Sequence, residues 1–224
     1  KYSLARADLF PETAVLDPEL TLDLPEEVTV STGLDAVSQA IESIWSRRSN
    51  AVTEAWALQS LRLSLMSLPA LVLAPHDVVH RTNMLQASLL AGLAISQTRT
   101  AIAHSMSYPI TAHFGLPHGL ACSFTLPAIL KFNAMADDGR LSRMAIALGF
   151  KDVQAMQDAL IRLLVIVKAR ELFTNYVGEY SELYLLIKEM ITPGRVDNNM
   201  RTVDLDDVKW ILSTTKDFLF RAHP

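Results

Sequence analysis

From Thr100 to Leu130 the chain carries no Asp, Glu, Lys or Arg. A charge-free run of this length belongs in an apolar interior, either a bilayer or a protein core. Pro109, Gly115, Pro117, Gly119 and Pro127 interrupt it, and His104, His113 and His118 lie inside it. A spanning helix needs about 20 continuous apolar residues. The segment therefore reads as the buried centre of a fold, with polar groups held there for a purpose. No membrane is implied. Half of the 224 residues are apolar and only 20% are charged, which excludes a disordered chain and allows a sizeable core.

Glycine narrows the options further. There are 8, none in a Gly-x-Gly pair, so a dinucleotide or Walker phosphate loop is absent from these residues. The net charge is −4, and only Arg47 and Arg48 are adjacent basic residues, so the basic stripe that nucleic acid requires is missing. Cys122 is the single cysteine. No intrachain disulfide can form, and a reduced, cytoplasmic setting is the default. The chain starts at Lys1 without Met or an apolar signal segment, and reads as a piece of a longer or processed protein.

Helical periodicity runs through most of the rest. Thr13–Asp17 is expected to form a short strand stopped by Pro18, and Pro25 to open a short helical turn. Thr32 looks like an N-cap with Asp35 in the capping-box position. Leu34, Val37, Ile41, Ile44 and Trp45 then form an apolar stripe. Further helices are expected near 52–68, with Pro69 and Pro75 bracketing the exit, and at 77–96. Another should start near Thr100, where Pro109 kinks or ends it. One should follow the turn at 114–119. Others fall at 141–149, 153–170, 179–190 and 204–220, the last capped by Asp204 or Asp206. Six to nine helices and almost no strand imply an all-α array.

Few side chains in this array can do chemistry. Asp35 and Gln39, at i and i+4, share one helix face and both offer oxygen to a cation; equally, Asp35 could be a cap and Gln39 an ordinary polar position. His104 and His118 lie in the uncharged segment, where imidazoles suit Zn²⁺ or Fe²⁺ but can also be satisfied core residues. His76 and His80 read as solvated surface, and His113 as a residue of a pocket mouth. Cys122 has no basic neighbour in sequence and reads as a small core residue. Trp45, Trp56 and Trp210 read as packing.

Four blocks of sequence resemble the iron-containing (group III) alcohol dehydrogenases. They are Asp-Pro-Glu-Leu-Thr-Leu-Asp-Leu-Pro from Asp17, Thr32-Gly-Leu-Asp-Ala-Val-Ser-Gln-Ala-Ile-Glu42, Met84-Leu-Gln-Ala-Ser-Leu-Leu-Ala-Gly92, and His104-Ser-Met-Ser-Tyr-Pro-Ile-Thr-Ala-His-Phe-Gly-Leu-Pro-His118-Gly119. The likeness is close over residues 11–133. Asn198-Asn199 with Asp204–Trp210 is similar to the family's closing pattern, and Glu42-Ser-Ile-Trp45 to the branch with phosphonoacetaldehyde reductases.

The resemblance implies the family's C-terminal helical metal domain. Residues 1–25 would be an interdomain or strand segment and 26–224 the domain itself, with the nucleotide-binding α/β domain lying outside this chain. It implies metal ligands at Asp35, Gln39, His104 and His118, with Gln39 standing where the family has His. It implies Tyr108 in place of a second His near the nicotinamide, as catalytic residue, and cofactor contacts at Leu20 and Tyr108. The implied cofactors are Fe²⁺ or Zn²⁺ and NAD(P). The implied partners are an alcohol or aldehyde, the chain's own nucleotide domain and a second copy of the protein. Two other readings are a dehydroquinate-synthase-like lyase or cyclase on the same architecture and a catalytically silent helical binding module.

Overall fold

The computed structural model describes residues 7–220. The fold is all-α: α1 Glu26–Trp45, α2 Ala51–Leu73, α3 Val78–Thr98, α4 Ile102–Phe114, α5 His118–Ser123, α6 Leu126–Ala134, α7 Arg140–Ala147, α8 Val153–Ile166, α9 Ala169–Thr174 and α10 Leu205–Leu219. Short 3₁₀ turns fill several connections. Among the described residues there is no strand, only an isolated bridge between Ser46 and Asn199.

The expected strand at Thr13–Asp17 is therefore wrong. Among the described residues that stretch pairs with no other segment, and the Asp17 carboxylate accepts the Glu19 amide at 3.0 Å to cap a 3₁₀ turn at Pro18–Thr21. A second correction concerns α1. It begins at Glu26, one full turn and more before the expected cap. Pro25 supplies the extended residue before it, and Glu26 and Glu27 sit in its first turn, where the helix dipole favours negative charge. Thr32 is interior, its hydroxyl donating to the Val28 carbonyl at 2.8 Å. Asp35 is accordingly a mid-helix residue and not a cap.

α1 is the central element. It packs against α2, α3 and α5, and Val30, Leu34, Val37, Ile41, Ile44 and Trp45 are fully buried along it. α2 and α3 lie close together because small residues line their contact. Ala57, Ala87, Ala91 and Ala94 are buried there, and the Ser60 hydroxyl donates to the Ala87 carbonyl at 2.7 Å. α2 is also long and apolar enough to cross a membrane. It runs through Pro69, where the sequence suggests an end.

The charge-free segment becomes three helices in the interior. Gly115, in the left-handed region with φ +70°, ends α4. Pro117 then starts α5. Farther on, the expected helix at 153–170 is broken in two by Lys168, also left-handed at φ +54°, and residues 180–186 form a 3₁₀ segment.

Two asparagines tie the C-terminal part to the centre. The Asn198 amide donates to the carbonyls of Thr98 and Thr100 at 2.8 and 3.1 Å. The amides of Asn199 and Asn133 exchange hydrogen bonds at 2.8 and 3.1 Å. The Asn198 bonds fix the turn between α3 and α4, and so the start of α4, where His104 sits, while the Asn199–Asn133 pair ties the same segment to α6.

Candidate metal centre

Three helices bring their polar side chains to one point. α1 contributes Asp35, Gln39 and Glu42, at i, i+4 and i+7 on one face. α4 contributes His104 from its first turn and Tyr108 one turn on. α5 contributes His118, its first residue, and Cys122 four residues later. The ligand atoms of Asp35, His104, His118 and Cys122 all lie within 4.8 Å of one another. His104 Nε2 is 3.5 Å and His118 Nε2 4.0 Å from Asp35 Oδ1. Cys122 Sγ is 3.6 Å from His118 Nε2.

The close approach of α5 to α1 depends on Gly119. A Cβ there would stand 1.8 Å from the Ser31 carbonyl oxygen and 3.0 Å from Asp35 Cβ. Only a glycine lets the helix backbones come this near, and His118 reaches Asp35 as a consequence. Gly33, inside α1, faces a side chain instead: a Cβ there would stand 2.6 Å from Leu68 Cδ1.

Glu42 holds the second layer. Its carboxylate is wholly buried. It accepts the Ala101 amide at 2.8 Å and the Ala103 amide at 2.6 Å, and it lies 2.7 Å from His104 Nδ1. A carboxylate in that position holds the proton on Nδ1, so Nε2 is the nitrogen that faces the cluster, the usual arrangement behind a ligating imidazole. On the other side, Gln39 Nε2 donates to Asp35 Oδ2 at 2.9 Å. The opposite oxygen, Oδ1, is buried and has no hydrogen-bond partner. A carboxylate oxygen buried without a hydrogen-bond partner is costly. A divalent cation would satisfy it. The donor set therefore fits such an ion.

The electrostatics agree. Burial disfavours charge on His104, but Cys122, Glu42 and Asp35 outweigh it and raise its pKa well above the ordinary imidazole value. His118 is raised through its contact with Cys122, against burial. Cys122 is fully buried, yet the two imidazoles bring its pKa down. These shifts describe a pocket rich in negative potential that draws in positive charge. Burial raises Tyr108, with Arg195 opposing, so its phenol keeps its proton at neutral pH. The Tyr108 ring stacks on His118, centroids 5.8 Å apart, and the Arg195 guanidinium lies 4.6 Å from the Tyr108 centroid.

The structure thus gathers Asp35, His104 and His118, and sets Tyr108 beside them. Gln39 touches the cluster through its amide nitrogen. Leu20 is 81% exposed on the 3₁₀ turn beside α3, apart from the cluster's donors. His76 is exposed, as expected. His80 is instead half-buried and bonded to Ser67 at 3.2 Å. His113 is exposed and pairs with Glu189 at 3.0 Å.

Sequence reasoning misses the roles of Glu42 and Cys122. A lone carboxylate between Ile41 and Ser43, two turns from Asp35 on the same face, is the available signal for the first. The i, i+4 spacing from His118 is the signal for the second.

A family model described as Fe-containing alcohol dehydrogenase family, C-terminal, matches residues 29–215. The chain belongs to the iron-containing alcohol dehydrogenases. 1-Propanol dehydrogenase PduQ of Salmonella typhimurium is 36% identical over 167 residues, 74% of this chain and 45% of that protein. Probable alcohol dehydrogenase EutG of Escherichia coli is 37% identical over 151 residues, 67% of this chain and 38% of that protein. Sulfoacetaldehyde reductase from Bifidobacterium kashiwanohense, solved with NAD⁺, superposes with a TM-score of 0.79 at 33% identity, over 92% of this chain and 54% of that one. The chain spans about half the length of the relatives it matches. Its all-helical architecture is that of the family's C-terminal domain.

Glu42→Leu tests the second layer. It leaves the amides of Ala101 and Ala103 and the His104 imidazole without an acceptor, each buried orphan costing about 1–3 kcal/mol. We expect a loss of at least about 3 kcal/mol in denaturant unfolding, with Glu42→Gln losing less. Unchanged stability in Glu42→Leu would remove Glu42 from this role.

Proposed function

We propose that residues 26–224 form the metal- and substrate-binding domain of an NAD(P)-dependent alcohol dehydrogenase or aldehyde reductase. The observation that carries this reading is the buried, unpartnered Asp35 Oδ1 facing His104 and His118, inside a chain that belongs to a dehydrogenase family. A nucleotide-binding domain and a second copy of the protein would complete the enzyme, with residues 1–25 leading from the first.

Asp35, His104 and His118 would hold Fe²⁺ or Zn²⁺. When bound, the ion supplies Lewis acidity toward a substrate oxygen and the nicotinamide supplies or accepts the hydride. The chain's own residues do the rest. Glu42 fixes the His104 tautomer, and Gln39 turns Asp35 so that Oδ1 faces inward. The buried walls around His104 exclude water, which strengthens every charge interaction there. Tyr108, protonated beside His118, holds a proton at Oη for exchange at the reacting oxygen. Leu20 we assign to the cofactor side.

Arg195 suggests the substrate's other end. Its guanidinium lies over the Tyr108 ring, half-buried on the segment after Gly194, with a bond to Thr100. A cation one ring away from the donor cluster suits a short aldehyde with an anionic group, as the sulfoacetaldehyde reductase relative takes by its name.

The test is NAD(P)H oxidation by the full-length protein with short aldehydes, neutral and anionic. We expect stoichiometric consumption, with anionic aldehydes preferred. Arg195→Ala should raise KM for the anionic ones by about 10-fold or more, the effect of losing one charge-assisted hydrogen bond of about 1.5–3 kcal/mol, and leave neutral ones nearly unchanged. No consumption with any aldehyde would favour a cyclase or a silent module. Equal effects on both substrate types would remove Arg195 from recognition.

A further inference from the structure

The family resemblance implies a fourth ligand at position 39, but the Gln39 amide is engaged with Asp35. Its Nε2 donates to Asp35 Oδ2, and a hydrogen bond to a carboxylate oxygen requires the NH₂ end. Gln39 therefore acts behind Asp35 as an orienting group. Another donor reaches the cluster from α5. Cys122 is wholly buried, one turn after His118, and its sulfur lies among the other three donor atoms.

The spacing is informative. Tetrahedral bonds of about 2.0 Å to N or O and 2.3 Å to S place the ligand atoms of a one-sulfur site about 3.3–3.5 Å apart. The measured separations are 3.5 Å from His104 to Asp35, 3.6 Å from Cys122 to His118 and 4.0 Å from His118 to Asp35. The first two lie at or close to that spacing and the third is about 0.5 Å longer, so the four donors stand near a coordination sphere. The Asp35 Oδ1 buried in the same cluster without a partner independently calls for a cation there.

We propose that Cys122 is the fourth metal ligand of this chain, giving an Asp35–His104–His118–Cys122 site in which Gln39 serves only to orient Asp35. The assignment rests on the metal-site reading above and goes beyond it. Its chemistry follows from the donor. A thiolate is soft and anionic, so the site becomes one oxygen, two nitrogens and one sulfur, a set that suits Zn²⁺ better than the harder ions that favour oxygen ligands. Two anionic ligands neutralise a divalent charge in a buried pocket, where a residual charge is costly. Metal binding requires the thiolate, so Cys122 releases its proton as the ion enters.

The experiment uses the full-length protein, stripped and reloaded with Co²⁺ or Zn²⁺. In the Co²⁺ form we expect a strong near-ultraviolet thiolate-to-cobalt charge-transfer band. Cys122→Ser should abolish it, and Gln39→Ala should keep it. X-ray absorption of the Zn²⁺ form should show one sulfur neighbour near 2.3 Å, about the usual Zn–S distance; this reads the unaltered protein and does not depend on a variant folding. Chelator competition should show Zn²⁺ held more weakly in Cys122→Ser by at least about 10- to 100-fold, the loss typical of a removed outer-shell partner. Stoichiometric metal with an all-nitrogen-and-oxygen shell and no charge-transfer band would overturn the Cys122 assignment while leaving the metal site standing. Failure to take up either metal would overturn both.

Discussion

His118→Ala in the full-length protein should lower kcat/KM by about 10³ or more, since Lewis acidity contributes several kcal/mol and each 1.36 kcal/mol is tenfold. The reasoning starts from position. His118 is the first residue of α5 and the cluster donor most open to solvent, its side chain 34% exposed. Truncating it removes one proposed ligand and the ring on which Tyr108 stacks, yet opens little of the core. The loss should therefore appear in turnover and metal content, with thermal unfolding close to the parent. The measurement is NAD(P)H oxidation alongside metal analysis. Activity within a few-fold of the parent would take His118 out of the ligand set and move the site's centre toward His104 and Asp35.

His104→Ala would be a poorer test of the same point. His104 is 3% exposed and bonded to Glu42 at 2.7 Å. Its removal strands a buried carboxylate, which is itself strongly destabilising. The two histidines look alike in sequence, but one belongs to the core and the other to the cleft.

That difference shows where sequence reading succeeds. The helices announce themselves through apolar spacing, and the turns through Gly115 and Pro117. The break between α8 and α9 does not, because it rests on Lys168 in a left-handed conformation that no local residue pattern demands. Thr32 misleads because Thr-Gly-Leu-Asp satisfies a local capping pattern, whereas burial of Thr29, Val30 and Ser31 extends the packed helix upstream. The site is legible in part. Asp35, His104 and His118 come from a family resemblance, since nothing in their spacing across 83 positions of chain requires them to meet. The neighbours of Cys122 in sequence say little, because its relevant neighbour is one helical turn away. Gln39 carries a suitable atom, but its orientation is set by Asp35, and only a three-dimensional arrangement gives orientation.

Gly119→Ala should disassemble the centre without touching a donor. An added Cβ would lie 1.8 Å from the Ser31 carbonyl oxygen and 2.7 Å from its carbon, both backbone atoms in the middle of α1 that have no rotamer to escape into. Non-bonded carbon contacts settle at about 3.5–4.0 Å, so α5 must back away from α1 by more than about 1 Å. His118 moves with it, since it is the preceding residue, and its 4.0 Å separation from Asp35 widens. Overpacking of this kind costs about 1–3 kcal/mol or more, and a 1 Å misplacement at a reacting centre costs about 10²-fold in rate. We expect Tm to fall by roughly 2–4 °C per kcal/mol lost, together with reduced metal content and turnover. Gly92→Ala is the matched control. Gly92 lies within α3, and a methyl group added there would have nothing within 4 Å of it, so alanine should be neutral or stabilise by up to about 1 kcal/mol. Parent-like metal binding in Gly119→Ala would show that α5 can be held at a greater distance, and that the close approach of the two helices does not set the geometry of the site.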